Sequence, residues 1–175
     1  MILKYGYTKK VINMKLKQAL EIAERTKDIL QPHCERIEIA GSIRRKKSEV
    51  KDIEIVCIPK LYDIGLFASG IATIVNHWTK VKGELPCKYT QRILPEGIKL
   101  DLFFAEERNW GLIYAIRTGS AEYSHKVLAS RWVRFGFNSE DGFLKSRGRV
   151  IPVREEKDLF TLLGMSYVPP EKRNL

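Results

Sequence analysis

The sequence predicts an α+β protein, with a mixed α/β core to about residue 105 and a smaller α+β module over residues 106–175. Three observations carry this. A helix-period segment at Met14–Gln31 is followed by alternating strand-like segments at Arg36–Ala40, Asp52–Ile58 and Lys99–Phe104. After Ala105 the character changes to an aromatic, apolar stretch and then to short strands punctuated by glycine. At 175 residues, 44% hydrophobic and 30% charged, the chain is long and apolar enough to bury a core, and it shows no repeat or low-complexity linker.

Residues 1–13 place Lys4, Lys9 and Lys10 among apolar and Tyr positions with no clear period, open between a short strand and a hairpin. Over Met14–Gln31, Leu16, Ala19, Leu20, Ile22, Ala23, Ile29 and Leu30 gather on one broad face, which predicts an amphipathic helix that Pro32 ends. Arg36–Ala40 alternates as a strand and runs into a Gly41-Ser42 turn. A basic loop from Arg44 to Lys51 follows, then the strand Asp52–Ile58, ended by Pro59. Residues 61–78 read as a helix through Ile71, Ile74, Val75 and Trp78, weakened by Gly65 and Gly70. Val81–Ile93 is strand material broken by Gly83 and Pro86. The Pro95-Glu96-Gly97 turn leads to the strand Lys99–Phe104, which buries Leu100, Leu102 and Phe104 and turns Asp101 to the side of Phe103. Trp110–Arg117 is aromatic and apolar, and Thr118-Gly119-Ser120 is a break. Ser120–Phe135 reads as a helix capped by Gly136, Phe137–Val153 as one or two hairpins, and Glu155–Leu163 as a short helix ended by Gly164.

The net charge of +10, from 31 Lys and Arg against 21 Asp and Glu, points to a polyanionic partner, with nucleic acid the first candidate. The charge is uneven: a neutral middle lies between basic flanks, which suits a site that holds cations while the surface around it holds phosphates. Cys34, Cys57 and Cys87 are odd in number and scattered, so neither a disulfide framework nor a zinc site is suggested. No signal peptide, lipidation motif or long apolar run is present, and a soluble intracellular protein with no membrane partner is expected.

Gly41 through Val56 holds the chemistry. Side chains alternate along an extended strand, so Asp52 and Glu54 share one face while Ile53, Ile55 and Cys57 share the other. The turn ahead of them offers backbone N–H groups to an anion, and Arg44 and Arg45 follow it. Phosphoryl or nucleotidyl transfer needs metal ions to align a nucleophile with phosphorus, two such ions lying roughly 3.5–4 Å apart. Asp52, Glu54 and, from a neighbouring strand, Asp101 supply oxygen ligands for Mg²⁺, and three carboxylates together repel unless cations neutralise them. Taken alone, an Asp-x-Glu strand is also what the solvated face of an edge strand looks like.

Gly41-Ser42-Ile43-Arg44-Arg45, Asp52-Ile53-Glu54 and Lys99-Leu100-Asp101-Leu102 together resemble the palm of the DNA polymerase beta superfamily of nucleotidyltransferases. Arg117-Thr118-Gly119-Ser120 is similar to the Tyr-Phe-Thr-Gly-Ser turn of the family X DNA polymerases, and Glu156–Phe160 through Leu163–Arg173 is similar to their C-terminal ending. The resemblance covers roughly residues 14–175. It implies a nucleotidyltransferase palm with a mixed sheet at residues 1–105 and a thumb-like nucleotide- and DNA-binding domain at 106–175. The activity implied is DNA-directed DNA polymerase of the gap-filling or repair type, using two Mg²⁺ ions with Mn²⁺ as a substitute. The implied partners are a dNTP and primer-template or gapped DNA, bound by a monomer.

The same resemblance implies roles by residue. Asp52, Glu54 and Asp101 are the catalytic metal-binding carboxylates, Asp101 also orienting the primer 3′-hydroxyl. Gly41, Ser42 and Arg45 hold the triphosphate, and Arg44 is either a second phosphate contact or an internal salt-bridge partner. Thr118, Gly119, Ser120, Tyr123 and Ser124 border the nucleotide, and Lys99 matches a basic position near the primer-end phosphate. Lys46 and Lys47, from their place next to the phosphate turn, and Arg131, close to a family Arg that is not matched in register, are the further DNA-contact candidates. Lys46, Lys47 and Lys51 also fit a solvated loop, and Trp78, Trp110 and Trp132 fit core as well as base stacking. The chain departs from the family in several places. No amino-terminal lyase region is matched, so the chain resembles the minimal palm-plus-thumb form found in a virus. Glu54 stands where Asp is common, Ile116-Arg117 replaces Tyr-Phe, and Ser124 replaces an Asn. Two alternatives follow: a template-independent nucleotidyltransferase acting on RNA ends, a protein or a small molecule, and a non-catalytic nucleic-acid-binding module.

Overall fold

The computed structural model describes residues 13–60 and 70–175. The reading of residues 1–12 and the first part of the helix expected over 61–78 lie outside the described residues. Strand β1 (Met14–Lys15) leads into helix α1 (Leu16–Leu30) and a 3₁₀ turn at Gln31–His33, where Pro32 denies the helix a further N–H. The buried stripe of α1 is Ala19, Ile22, Ala23, Thr26 and Leu30, narrower than the sequence suggests: Leu20 and Ile29 lie a helical step outside it and are 39% and 51% exposed.

Strand β2 (Cys34–Ile39) is followed by the one-turn helix α2 (Gly41–Arg44), where a simple turn was expected, and by β3 (Glu49–Val50), which pairs with β1. Next come β4 (Asp52–Pro59), α3 (Gly70–Val75), β5 (Thr79–Lys82), β6 (Tyr89–Ile93) and β7 (Lys99–Phe104). Five strands form one mixed sheet in the order β2-β4-β7-β6-β5, with β4 and β7 parallel and the other neighbours antiparallel. One face carries Ile37, Ile39, Ile53, Ile55, Cys57, Leu100 and Leu102, all buried against α1 and α3. Alternation along β4 and β7 therefore leaves Asp52, Glu54, Lys99 and Asp101 on the other face.

Helix α4 (Trp110–Thr118) covers one end of that second face, where Trp110 and Ala105 pack with Val56 and Phe103. Then follow α5 (Ala121–Tyr123), a π-helical turn at Ser124–Ala129, and α6 (Ser130–Arg134). The helix expected from Ser120 is thus continuous in path but loosened in its middle. Gly136, at φ +76°, ends it with Phe137 N–H on the Trp132 carbonyl and its own N–H on that of Val133. Strands β8 (Asn138–Glu140), β9 (Phe143–Ser146) and β10 (Arg149–Ile151) make an antiparallel sheet, and α7 (Glu156–Leu162) returns to α4. A separate core of Leu112, Ala115, Leu128, Trp132, Leu144, Leu159 and Phe160 holds this part together. Trp110 and Trp132 are buried, so packing, not base stacking, is their role.

Candidate active site

The parallel register sets the site. Asp52 lies beside Lys99 and Glu54 beside Asp101 across β4 and β7, and Gln91 of β6 lies beside Asp101 on the far side. Paired positions share a face, so Glu54 and Asp101 lie side by side across the sheet. Asp52 is two residues along β4 on the same face, and the three carboxylates form one acidic row bent at Glu54. Asp101 is 9% exposed, and its Oδ1 accepts hydrogen bonds from Tyr89 Oη (2.7 Å) and Gln91 Nε2 (2.7 Å). Oδ2 is left to other partners.

Helix α2 lies against the front of this row. Gly41 adopts φ +61°, and a Cβ there would stand 1.8 Å from Glu54 Oε2, so only glycine lets the turn approach the carboxylate. The close approach is therefore made to the protein's own Glu54. Ser42, Arg45, Lys47, Ser48, Glu49, Lys51, Asp52 and Glu54 line a cavity of about 390 Å³. Among the described residues the Ser42 Oγ buried there has no hydrogen-bond partner, a donor and acceptor open to a ligand. Arg45 donates from Nε to Asn174 Oδ1 (2.9 Å) and from Nη1 to the Thr118 carbonyl (2.7 Å).

The electrostatics is that of an uncompensated acid cluster. Burial, then repulsion from Asp52 and Asp101, pushes the Glu54 carboxyl up to about 7 against the attraction of Arg45 and Arg117. Burial and Asp101 likewise raise Asp52, opposed by Lys99, Lys51 and Arg45. Hard oxygen donors on one face, two of them raised by burial and by neighbouring carboxylates, suit a divalent cation, which would favour their ionised forms. Among the described residues no three Asp, Glu, His or Cys side chains already converge as metal ligands. Glu54 leans on Gly41 and Asp101 is tied to Tyr89 and Gln91, an arrangement that mutual repulsion favours.

Several of the expected contact residues have partners within the protein. Arg44 is the internal partner: it donates to both Glu156 oxygens (2.8 and 2.7 Å) and to Thr118 Oγ1 (2.6 Å), and its guanidinium lies 3.8 Å over the Tyr114 ring. Thr118 is fully buried and Tyr123 is 5% exposed, so neither side chain is open to solvent. Ser120 caps α5 by accepting the Tyr123 N–H, and the Ser124 hydroxyl donates to the Ile116 carbonyl (2.8 Å). Gly119 ends α4 in an extended conformation. Among the DNA-contact expectations, Arg131 donates to the Leu163 carbonyl and Lys46 pairs with Glu171 (2.7 Å), both contacts within the protein. Lys47 lines the cavity and Lys99 lies beside Asp52.

Sequence reasoning missed three residues. Tyr89 and Gln91 hold Asp101, and only the β6–β7 register reveals them; their alternation on β6 was the available signal. Arg117, given no role at the site from sequence, places its guanidinium 4.1 Å over the Phe103 ring and within the field of Glu54 and Asp101, its buried Nε having no partner among the described residues. It lines a second cavity, of about 250 Å³, with Tyr89, Phe103, Asn109, Ile113 and Phe143.

Comparison with known proteins gives one family match: residues 114–174 fit the DNA polymerase beta thumb. The match spans most of α4 through the C-terminal segment and leaves the carboxylate-bearing sheet outside it. No curated protein matches the chain.

Proposed function

We propose, from the premise that this protein is family X polymerase-like through its DNA polymerase beta thumb at residues 114–174, that it is a DNA-directed DNA polymerase of the gap-filling or repair type. Its nucleotidyltransferase palm is residues 1–105 and its thumb-like domain residues 106–175. A polymerase thumb implies DNA binding, which the net charge of +10 favours. The observation that carries the reading is the row of Asp52, Glu54 and Asp101 beside a cavity holding the orphaned Ser42 hydroxyl and Arg45.

In this reading the dNTP triphosphate lies in the cavity, against Ser42 Oγ and the cations of Arg45, Lys47 and Lys51. The primer 3′-oxygen forms a bond to the α-phosphorus, the bond from that phosphorus to the bridging oxygen breaks, and pyrophosphate leaves. Asp101 takes the hydroxyl proton at Oδ2, since Oδ1 is held by Tyr89 and Gln91. Asp52, Glu54 and Asp101 would hold Mg²⁺, or Mn²⁺ in its place, which when bound supplies alignment and charge neutralisation.

The test is primer extension on gapped duplex with Mg²⁺ for Asp52→Ala and Asp101→Ala. Both lose extension; a variant that still extends overturns the reading. A second reading, template-independent transfer to RNA ends, a protein or a small molecule, is favoured by one observation: Ser124 is engaged with the Ile116 carbonyl and offers no hydroxyl proton to a base. Incorporation that follows the templating base excludes it.

A further inference from the structure

We infer that Asn174 is a positioning residue for nucleotide binding, holding Arg45 toward the triphosphate and away from the acidic row. The inference rests on the nucleotidyl-transfer reading above. Arg45 lines the same cavity as Asp52 and Glu54 and is attracted by both, yet it makes no ion pair with either. What restrains it comes from the far end of the chain: Nε donates to Asn174 Oδ1 at 2.9 Å, and Nη1 donates to the Thr118 carbonyl at 2.7 Å. Among the described residues Nη2 has no hydrogen-bond partner, which leaves it to an anion.

The Asn174 amide is itself oriented. Its Nδ2 donates to the Glu171 carbonyl at 2.8 Å, which fixes Oδ1 toward Arg45. The backbone that carries it is anchored on both sides, by Ser120 N–H on the Arg173 carbonyl (2.9 Å) and by Leu175 N–H on Ser120 Oγ (3.3 Å). Arg173, fully buried, donates to Glu156 Oε1 and to the Val168 carbonyl, so the segment is pinned into the core. A neutral acceptor suits this place. It restrains the guanidinium without cancelling the positive charge that a triphosphate requires.

Without that acceptor the guanidinium is free to swing onto Glu54 or Asp52, where it would compete with both the triphosphate and a cation. The experiment compares wild type, Asn174→Ala and Asn174→Asp, the last keeping an acceptor oxygen at the same position. It measures kcat and KM for dATP on a gapped duplex, dATP binding by calorimetry with Mg²⁺ and no DNA, and the thermal midpoint. Loss of a hydrogen bond to a charged group corresponds to about tenfold in affinity, so Asn174→Ala raises KM and Kd about tenfold while kcat stays within about twofold. Its thermal midpoint stays within about 2 °C. Asn174→Asp keeps an acceptor but cancels the Arg45 charge and loses the bond to the Glu171 carbonyl, so its KM and Kd also rise about tenfold.

Unchanged KM and Kd in Asn174→Ala, or wild-type KM and Kd in Asn174→Asp, overturns the inference. So does a loss seen only in kcat and thermal midpoint. If wild type extends no primer, the polymerase reading fails and the dATP binding comparison alone decides the role of Asn174. A wild type that binds no dATP overturns both.

Discussion

Replacing Glu156 tests the contact between the sheet and the C-terminal core most directly. Its carboxylate, 8% exposed, lies between Arg44, 18% exposed, and Arg173, 0% exposed, and accepts hydrogen bonds from both; Tyr167 Oη adds a longer one at 3.3 Å. Glu156→Ala leaves two cations in the interior with no counter-charge, and breaking a buried pair in this way costs about 3–5 kcal/mol. At about 2–4 °C per kcal/mol for a chain of this size, the unfolding midpoint falls by roughly 6–20 °C. Glu156→Gln keeps an acceptor but loses the charge, and costs less. Burial alone would raise the Glu156 carboxyl, but its bonds to Arg44 and Arg173 hold it below the ordinary 4.5. A group depressed by folding stabilises above its unfolded value, so this contribution is fully present at neutral pH and is lost as pH falls through the folded value. Urea unfolding at pH 7 and again in acid measures both effects. A loss below about 1 kcal/mol at pH 7 would place Glu156 with exposed pairs and refute the argument.

The acid row gives the opposite pH dependence. Glu54 is raised to about 7 from 4.5, so in metal-free protein stability falls as pH rises through that window, and Glu54→Gln raises stability at pH 8 by roughly 2–4 kcal/mol. Urea unfolding in chelator checks it; an unchanged or lower stability would show that Glu54 is not strained by its neighbours. Gly41→Ala sets a methyl 1.8 Å from Glu54 Oε2 at φ +61°, and is expected to lower stability by about 1–3 kcal/mol and abolish primer extension. Denaturation and extension assays on one preparation test both parts. Tyr89→Phe removes one of two donors to Asp101, and kcat for extension should fall about tenfold with KM for dATP unchanged. DNA affinity, measured by anisotropy, should fall linearly in log–log form with salt, as expected for phosphate contacts.

The sequence by itself determined the strands that carry the chemistry. Period-two alternation in Asp52-Ile53-Glu54-Ile55 and in Leu100-Asp101-Leu102 decides which side chains are buried, because an isoleucine on the wet face forfeits its burial energy and a carboxylate in the core forfeits its hydration. Glycine at 136 and 164 marked helix ends for the same local reason, a positive φ that other residues resist. The tertiary structure alone decided what those side chains meet. Whether Arg44 faces a phosphate or Glu156 depends on a residue more than a hundred positions away, and the same is true of Arg45 and Asn174. Tyr89 and Gln91 reach Asp101 only through strand register, and Arg117 enters the field of the carboxylates only because α4 folds over Phe103. Alternation is written in neighbours along the chain. A charge partner is chosen by packing, where desolvation makes an unpaired guanidinium costly and the nearest acceptor in space, not in sequence, satisfies it.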